Sequence, residues 1–339
     1  MAVLALLAVA GICLIGYRWY QSGFDWDTFF ASFGSLDWRW VAASVAFALS
    51  TYYGRVIRWA VMIKPLKPKP SYWNLFVATA IGFTAIVIVG RPGEIVRPYL
   101  IAKKEELPFS SQVAAWLLER IYDLLIVLLL SGFALVQAPQ IETQLGPNLK
   151  WVLQTGGRVI GAAAAISLGV LIVLRQYSEA MRRRLLESLT FLPEHQYKRA
   201  EQFVNAFVQG VQCTRSGTAT FLIVTYTFLE WLLIAACFYC LFKAQPATSD
   251  LTVLDVLMFV GFVAFGSIVQ IPGVGGGMQV VSVLVLTELF GVALEPATGV
   301  ALLIWLITFV VIVPFGLVLA FQEGLTFRKL KQMEKDMPL

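Results

Sequence analysis

Residues 73–102 read WNLFVATAIGFTAIVIV, then GRPGE, then IVRPYLIA. The first of these stretches carries no charge, which suits the hydrocarbon core of a membrane. Proline removes a backbone donor and glycine tolerates tight turns, so GRPGE is expected to end the helix. Because broken backbone survives at membrane depth only inside protein or beside a cavity, we interpret residues 73–103 as a helical hairpin that enters and leaves the membrane on one side.

The same pattern recurs later in the chain. Residues 253–271 are mostly apolar, the stretch PGVGGG follows at 272–277, and a shorter apolar run occupies 278–290. This repetition predicts a second re-entrant hairpin over residues 253–290.

The composition is typical of a membrane protein. Apolar residues make up 58% of the 339 residues, charged residues only 14%, and the mean hydropathy is +0.75, whereas soluble chains carry about a quarter charged residues. The net charge of +5 comes from basic residues in loops beside apolar runs, which excludes nucleic acid as a partner. Four cysteines and one histidine are too few and too scattered for a metal site or disulfide framework, and no cofactor is expected.

Six further apolar runs are candidates for crossing helices: residues 2–17, 38–63, 113–136, 151–174, 218–242 and 297–321. With the N-terminus inside, sixteen Lys and Arg side chains fall on the cytoplasmic side and four on the other. This asymmetry follows the positive-inside rule. It predicts a multi-pass protein of a bacterial-type cytoplasmic (inner) membrane, with both termini in the cytoplasm.

This threading also predicts an internal repeat. Each half reads helix, helix, hairpin, helix; the first half is residues 1–138, the second is 139–321, and a basic cytoplasmic tail covers 322–339. Three crossings per half invert the second half relative to the first, a plan that many transporters share. The predicted fold is an all-α polytopic membrane protein with six crossing helices and two re-entrant helical hairpins in an inverted repeat. The two hairpin tips are expected to face each other.

Residues 178–212, between the halves, are too polar to span a membrane. Apolar residues recur there at helical spacing, with basic residues on other faces. This pattern predicts an amphipathic helix on the cytoplasmic surface against anionic headgroups, with a solvated connector as the alternative.

Inside the apolar regions lie six arginines, at positions where an isolated charge costs about 2.5–3.5 kcal/mol. They are Arg55, Arg58, Arg91, Arg97, Arg120 and Arg158. Arg58 and Arg158 are close enough to helix ends that we expect them to snorkel to water, whereas Arg55 is undecided. The other three combine with acidic neighbours into one predicted cluster: Arg91, Glu94, Arg97, Glu119, Arg120 and Asp123.

Two interpretations of this cluster stay open, and both can hold together. Glu94 and Arg97 are three residues apart and can pair, so the cluster can be a structural network that locks the hairpin to the next helix. Alternatively, one or two guanidiniums bind a ligand phosphate, whose oxygens match the planar fork of arginine. The N-terminal end of the hairpin's second helix adds positive potential at the same place.

The turn of the second hairpin is rich in glycine and carries no charged residue, so it would contribute backbone groups rather than charged side chains to a site. Its glycines allow either close approach of a headgroup or simply a tight turn. Nearby polar residues are Gln279, Glu288 and Glu230. Glu230 is either a partner for an arginine or a carboxyl that desolvation keeps protonated, in which case proton coupling at Glu230 or Glu288 is conceivable.

The sequence offers no catalytic set. It contains no Ser-His-Asp arrangement, no His-Glu-x-x-His motif and no phosphate loop ending in Gly-Lys-Ser/Thr. ATP-driven pumping by this chain alone is therefore excluded.

Three motifs carry a family resemblance: Arg91-Pro-Gly-Glu94-x-x-Arg97, Glu119-Arg120-x-x-Asp123, and Pro272-Gly273-x-x-Gly276 followed by a closing helix at 297–321. In this order, over roughly residues 38–321, they resemble the lysylphosphatidylglycerol synthase transmembrane (flippase-like) family. The resemblance implies that the arginines and acids of the first two motifs occupy the family's polar-core positions. It also implies a stand-alone membrane domain without the aminoacyl-transferring domain, so synthesis of lysyl-lipid is not implied. The family often has Glu where this chain has Gln279.

The leading functional hypothesis is translocation of an anionic or aminoacylated phospholipid or lipid-linked headgroup between leaflets, and a transporter is favoured over an enzyme. The alternatives are a headgroup-modifying enzyme with Glu119 or Asp123 as base, or a lipid-binding accessory subunit. Expected partners are the membrane lipid itself and either a second copy of the chain or a lipid-pathway enzyme. The candidate substrate-binding residues are Arg55, Arg91, Glu94, Arg97, Glu119, Arg120, Asp123, Pro272, Gly273, Gly276 and Gln279.

Overall fold

The computed structural model describes residues 23–136, 147–191, 193–211, 216–267, 270–273 and 275–324. The predicted first crossing, 2–17, lies outside these residues, as does most of the predicted tail 322–339.

The first half of the described chain is helical. Asp37 and Ser71 begin the second and third helices because their side chains accept first-turn N–H groups, from Arg39 and Asn74 respectively. The helices are α1 (Trp26–Gly34), α2 (Trp38–Ile63), α3 (Tyr72–Val89), α4 (Val96–Glu105) and α5 (Phe109–Val136), with a 3-10 turn at Arg91–Ile95 between α3 and α4.

The second half is also helical, apart from one short ladder between β1 (Gln270–Ile271) and β2 (Gly275–Gly276). The helices are α6 (Pro147–Ser188), α7 (Glu194–Val211), α8 (Gly217–Ala244), α9 (Val253–Gly266), α10 (Gly277–Leu284), α11 (Leu294–Trp305) and α12 (Val313–Gln322). π-helical turns at Val285–Leu289 and Leu306–Val310 continue α10 and α11.

Several helices have the length and apolar character of membrane spans. Within the described residues, Tyr72–Val89, Gly217–Ala244 and Leu294–Gln322 are long and apolar enough to cross. Helices α2 and α5 contain 26 and 28 residues, about 39 and 42 Å at 1.5 Å per residue, but their charged residues lower their hydropathy. The chain is therefore an all-α membrane protein.

Residues 73–103, predicted as the first hairpin, fold back on themselves in the structure. Helix α3 ends at Gly90, whose φ of +82° and N–H bond to the Ile86 carbonyl stop the helix. Helix α4 then packs on α3 so closely that a Cβ at Gly82 would lie 2.6 Å from the Cβ of Arg97. The hairpin runs from Tyr72 to Glu105.

The second hairpin has a shorter first helix than its apolar run predicts. Helix α9 ends at Gly266 rather than at Ile271, and a Cβ at Gly266 would lie 2.7 Å from the carbonyl oxygen of Gly277. The chain then forms the two-residue ladder β1–β2, with Gly275 at φ +103° and Gly276 at φ +133°. Hydropathy could not predict where α9 ends, because the apolar run 253–271 continues past the helix into Gln270 and Ile271, which are strand residues.

The segment 178–212 differs from the expected surface helix. Residues up to Ser188 continue α6, a helix of 42 residues, so no separate helix begins at Ser178. Only α7 is separate, and its apolar face packs on α5, where a Cβ at Gly210 would lie 2.4 Å from the Ser111 carbonyl oxygen. Of the apolar residues that helical spacing marked on α7, Val211 is buried against protein whereas Phe203 is exposed.

Several helix pairings join the two halves, and three of them involve the hairpins or the helices beside them. Helices α2 and α8 pack against each other along most of their length, α5 packs on α9, and α12 packs on α3. Small residues allow the last two contacts: a Cβ at Gly261 would lie 2.2 Å from Ser131 Oγ, and one at Gly316 would lie 1.9 Å from Thr84 Oγ1. The closing helix of each half thus lies against the first hairpin helix of the other half.

Candidate functional site

Nine ionisable side chains gather between these packed helices, and we call them the charged cluster. They come from α2, the first hairpin, α5 and α8: Arg55, Arg58, Arg91, Glu94, Arg97, Glu119, Arg120, Asp123 and Glu230. Five arginines face four carboxylates, so the cluster carries a formal charge of +1 when all nine are ionised.

Arg58 lies at the centre of the cluster. Its guanidinium donates to Glu119 and Asp123, with an Nη1–Oδ1 distance of 2.6 Å to the latter, and lies 3.3 Å from Glu230 Oε2. The expectation that Arg58 snorkels to water is wrong, because three carboxylates on neighbouring helices hold it and its exposed fraction is 0%. The side chain of Arg158 lies outside the described residues. Arg58 is three residues after Arg55, and this shared helical face was the signal that could have identified it.

Arg97 connects the first hairpin to α5. Its Nη1 donates to Glu119 Oε2 at 2.9 Å, and its guanidinium lies 4.2 Å from the centre of the Trp59 ring. The expected pair between Glu94 and Arg97 is not the one observed, since Glu94 accepts from Arg91. The cause is the 3-10 turn, which ends at Ile95 and places Glu94 outside the helix that carries Arg97.

Arg55 and Glu230 join α2 to α8. Arg55 Nη2 lies 2.7 Å from Glu230 Oε1, and Glu230 is buried. Of the two alternatives for Glu230, the structure shows the first, a partner for arginines. Arg55, undecided from sequence, belongs to the cluster.

A cavity of about 150 Å³ lies beside the cluster, between the two halves of the chain. One part of its wall is charged, with Arg55, Arg91, Glu94, Arg120 and Asp123. The rest is mainly apolar and includes Phe83, Ile86, Phe238, Val260, Val263 and Phe309. Such a volume holds several water molecules or a small polar group. A cavity with one charged and one apolar wall suits an amphipathic ligand.

Among the arginines of the charged cluster, Arg120 is the one whose charge is least compensated by close carboxylates. Its nearest carboxylate oxygens, on Glu119 and Asp123, are 3.7 and 3.8 Å away, and 39% of its side chain is exposed. Its buried Nε finds no hydrogen-bond partner within the described part of the chain. The guanidinium therefore keeps donors for a ligand in the cavity.

Comparison with known families gives one result. The model of the lysylphosphatidylglycerol synthase TM region matches residues 2–316. The chain belongs to this family. No curated protein and no solved structure matches it.

Membership of the lysylphosphatidylglycerol synthase TM family associates the chain with membrane lipids and with a membrane location. The six residues assigned to the family's polar core from the first two motifs all lie in the charged cluster. Sequence reasoning placed these residues together correctly but left out Arg58, which holds three of the carboxylates.

The third motif, Pro272-Gly273-x-x-Gly276, forms the turn of the second hairpin. The Gln279 side-chain oxygen accepts the N–H of Gly276 at 2.7 Å, and a Cβ at Gly275 would lie 1.7 Å from the Gln279 amide nitrogen. These contacts belong to the tight turn, which was one of the two uses considered for the glycines. Pro272 and Gly273 are exposed at the hairpin tip and do not line the cavity.

Glu288 does not join the charged cluster. It lies exposed in the π-helical turn after α10 and does not line the cavity. The second hairpin instead lines the cavity with Val260, Val263 and Ala264 of α9, Ser267 just after it, and Met278 at the start of α10.

Proposed function

We propose that the protein moves a phospholipid between the leaflets of a bacterial-type inner membrane. The observation that carries this proposal is the cavity between the two halves, with a cationic surplus on one wall and apolar residues on the others. A lipid headgroup is charged and its tails are apolar, so one molecule matches both walls. The family's association with membrane lipids supports the same class of ligand.

Arg120 is the residue we assign to the headgroup phosphate. Arg58 and Arg97 are buried and already bound to carboxylates, whereas Arg120 lines the cavity and its nearest carboxylate oxygens are 3.7 Å away or more. Arginine presents paired N–H donors that match phosphate oxygens. The buried arginines then act as the support that fixes α5 and with it Arg120.

The proposal is tested by reconstituting the purified chain in vesicles that contain phosphatidylglycerol with a fluorescent acyl chain. Dithionite quenches only the outer leaflet, so translocation appears as loss of fluorescence beyond the outer half. Arg120→Gln is expected to slow this loss at least about 10-fold, because a hydrogen bond to a charged group is removed. Lys198→Gln, in an exposed ion pair on α7, is the control. Equal rates for Arg120→Gln and the unaltered protein would contradict the proposal.

We also propose the inverted-repeat topology, with six crossings, two re-entrant hairpins and both termini in the cytoplasm. The reciprocal packing supports it, because α5 lies on α9 just as α12 lies on α3, and α2 pairs with its counterpart α8. Inversion predicts that Lys69, before α3, and Asp250, before α9, lie on opposite sides. In a cysteine-free background, Lys69→Cys should react with a membrane-impermeant thiol reagent only from the cytoplasmic side and Asp250→Cys only from the other. Reaction of both from one side would rule the topology out.

The enzyme alternative has weaker support from the site. Glu119, one of the two candidate bases, is fully buried and bound to Arg58 and Arg97. Asp123 lines the cavity but is held by Arg58 at 2.6 Å. A base must reach a proton on the ligand, and arginines already occupy the oxygens of both carboxylates. A change of lipid mass during the vesicle experiment would nevertheless identify such a reaction.

A further inference from the structure

The tips of the two hairpins exchange hydrogen bonds. Helices α3 and α9 are the first helices of their hairpins, and each ends with carbonyl groups that lack partners within the helix. The N–H of Gly273, in the second hairpin, donates to the Val87 carbonyl near the end of α3 at 2.8 Å. Arg91 Nη2, in the first hairpin, donates to the Ser267 carbonyl just after α9. Each hairpin thus supplies a donor for the helix end of the other.

The position of Arg91 has a clear electrostatic basis. The C-terminal end of a helix carries about half a negative charge, and the ends of α3 and α9 meet here. Glu94 adds a formal negative charge and also accepts from Arg91. A cation between the two tips is therefore stabilised, and Arg91 fills that position from the first hairpin.

Arg91 is also within reach of a ligand. Its side chain is 38% exposed, and it lines the cavity together with Ser267 and Met278. Arg97, the other arginine of the first hairpin, is buried against Glu119 and lies outside the cavity wall. Of these two, only Arg91 bridges the hairpins while facing the cavity.

We infer that Arg91 is a positioning residue that holds the two hairpin tips together, and that a lipid phosphate loosens this contact by binding the Arg91 guanidinium. Guanidinium–phosphate pairs are charge-assisted and bidentate, so phosphate competes well with a neutral carbonyl. When Arg91 binds the phosphate, the Ser267 carbonyl loses its hydrogen-bond donor. Of the two hydrogen bonds between the tips, only the one from Gly273 to Val87 then remains. The phosphate part of this inference rests on the proposed function, whereas the bridge between the hairpins does not.

The test measures how easily a thiol reagent reaches the cavity. In a background with all native cysteines replaced, Met278→Cys is the probe, because Met278 is buried and lines the cavity. Leu241→Cys is the matched control, since Leu241 is also buried, in the same hydrophobic core as Met278, but does not line the cavity. Arg91→Gln is expected to raise the labelling rate of Met278→Cys about 10-fold and to leave Leu241→Cys unchanged.

The ligand part is tested in detergent solution with short-chain phosphatidylglycerol and, separately, with inorganic phosphate. The lipid is expected to raise labelling of Met278→Cys when Arg91 is present and to have no further effect in Arg91→Gln. An equal effect of inorganic phosphate would identify a free anion rather than the headgroup as the sufficient ligand, and would still support release of Arg91 by phosphate. No effect of either on Met278→Cys would overturn this part.

Unchanged labelling of Met278→Cys in Arg91→Gln would overturn the bridge itself. If Arg91→Gln loosens the whole protein and both probes react, Arg91→Lys decides, because lysine keeps the charge but not the forked donors. The inference would then be overturned if adding Arg91→Lys left the labelling rate of Met278→Cys unchanged, both with and without lipid. Absence of lipid movement in vesicles together with increased labelling in Arg91→Gln would reject the proposed function and leave the bridge standing.

Discussion

The first hairpin is held in place by charged side chains, whereas the second is held by backbone groups. Arg97 binds Glu119 on α5, and at the base of the same hairpin Glu105 binds Lys67 and Asn74. In the second hairpin, glycines with positive φ form the turn and a side-chain amide caps it. Different forces therefore hold the two hairpins, and the charged residues that line the cavity come from the first hairpin, α2 and α5 rather than from the second hairpin.

The largest effect is expected from breaking the side-chain anchor of the first hairpin. Arg97→Met leaves Glu119 buried with one arginine fewer, and removing one partner of a buried ion pair costs about 3–5 kcal/mol. Thermal or denaturant unfolding in detergent measures this loss. Arg39→Met, at an exposed position in the first turn of α2, is the control. A loss below about 1 kcal/mol would mean that the first hairpin does not depend on this pair.

A smaller effect is expected from the backbone of the second hairpin. Gly275→Ala forces a non-glycine residue to φ +103° and places its Cβ against the Gln279 amide. Such strain costs about 1–3 kcal/mol. Gly132→Ala, where nothing lies within 4 Å of the added Cβ, should be neutral or stabilising in the same unfolding measurement. Equal stability of Gly275→Ala and the unaltered protein would show that the turn tolerates a different backbone.

Glu105, at the base of the first hairpin, should make the stability of that hairpin depend on pH. Burial raises the pKa of Glu105, but hydrogen bonds from Asn74, Lys67 and the Ser71 N–H outweigh it, and the pKa lies below its usual 4.5. A depressed folded pKa means that the carboxylate stabilises the fold above the unfolded pKa and that this stability is lost as pH falls through the folded value.

The corresponding measurement compares unfolding at pH 7 and at pH values below 4.5. Glu105→Gln should cost about 1–2 kcal/mol at pH 7, since it replaces charge-assisted hydrogen bonds by neutral ones. The variant should also lose part of the acid sensitivity. Identical pH dependence in the variant and the unaltered protein would count against this role of Glu105.

The smallest effect is expected at Gln279, in the turn of the second hairpin. Gln279→Glu keeps an oxygen that accepts the Gly276 N–H. The free energy of unfolding should change by less than about 1 kcal/mol, because the hydrogen bond from the Gly276 N–H is retained. Lipid movement should be unchanged as well, because Gln279 does not line the cavity. A large gain or loss of transport would assign Gln279 a role beyond the turn.

Much of the fold could be predicted because proline and glycine act locally. GRPGE ends α3 at the expected place, and the closing helix starts and ends within three residues of its predicted bounds. The end of α9 could not be predicted, since it depends on the close contact between Gly266 and Gly277, which belong to different helices. The covering of α7 by α5 likewise depends on a distant partner.

The candidate site shows the same division. Arg91, Glu94, Arg97, Glu119, Arg120 and Asp123 stood out because charges are costly in apolar runs. Arg58 stood out equally, but because it lies near the end of its helix, its side chain was expected to reach water. Its actual direction depends on Glu119, Asp123 and Glu230, which come from two other helices.

By itself, the sequence determined the membrane character, the helices, the two breaks and the set of charges that must find partners. These are properties of local backbone chemistry and of transfer from water, which each stretch of chain carries with it. Only the tertiary structure decided which carboxylate binds which arginine. It also decided that Arg120 faces the cavity and that Arg91 lies between the hairpins. Direct ion pairs such as Arg55–Glu230 depend on where helices far apart in the chain come to lie, and hydropathy holds no information on that.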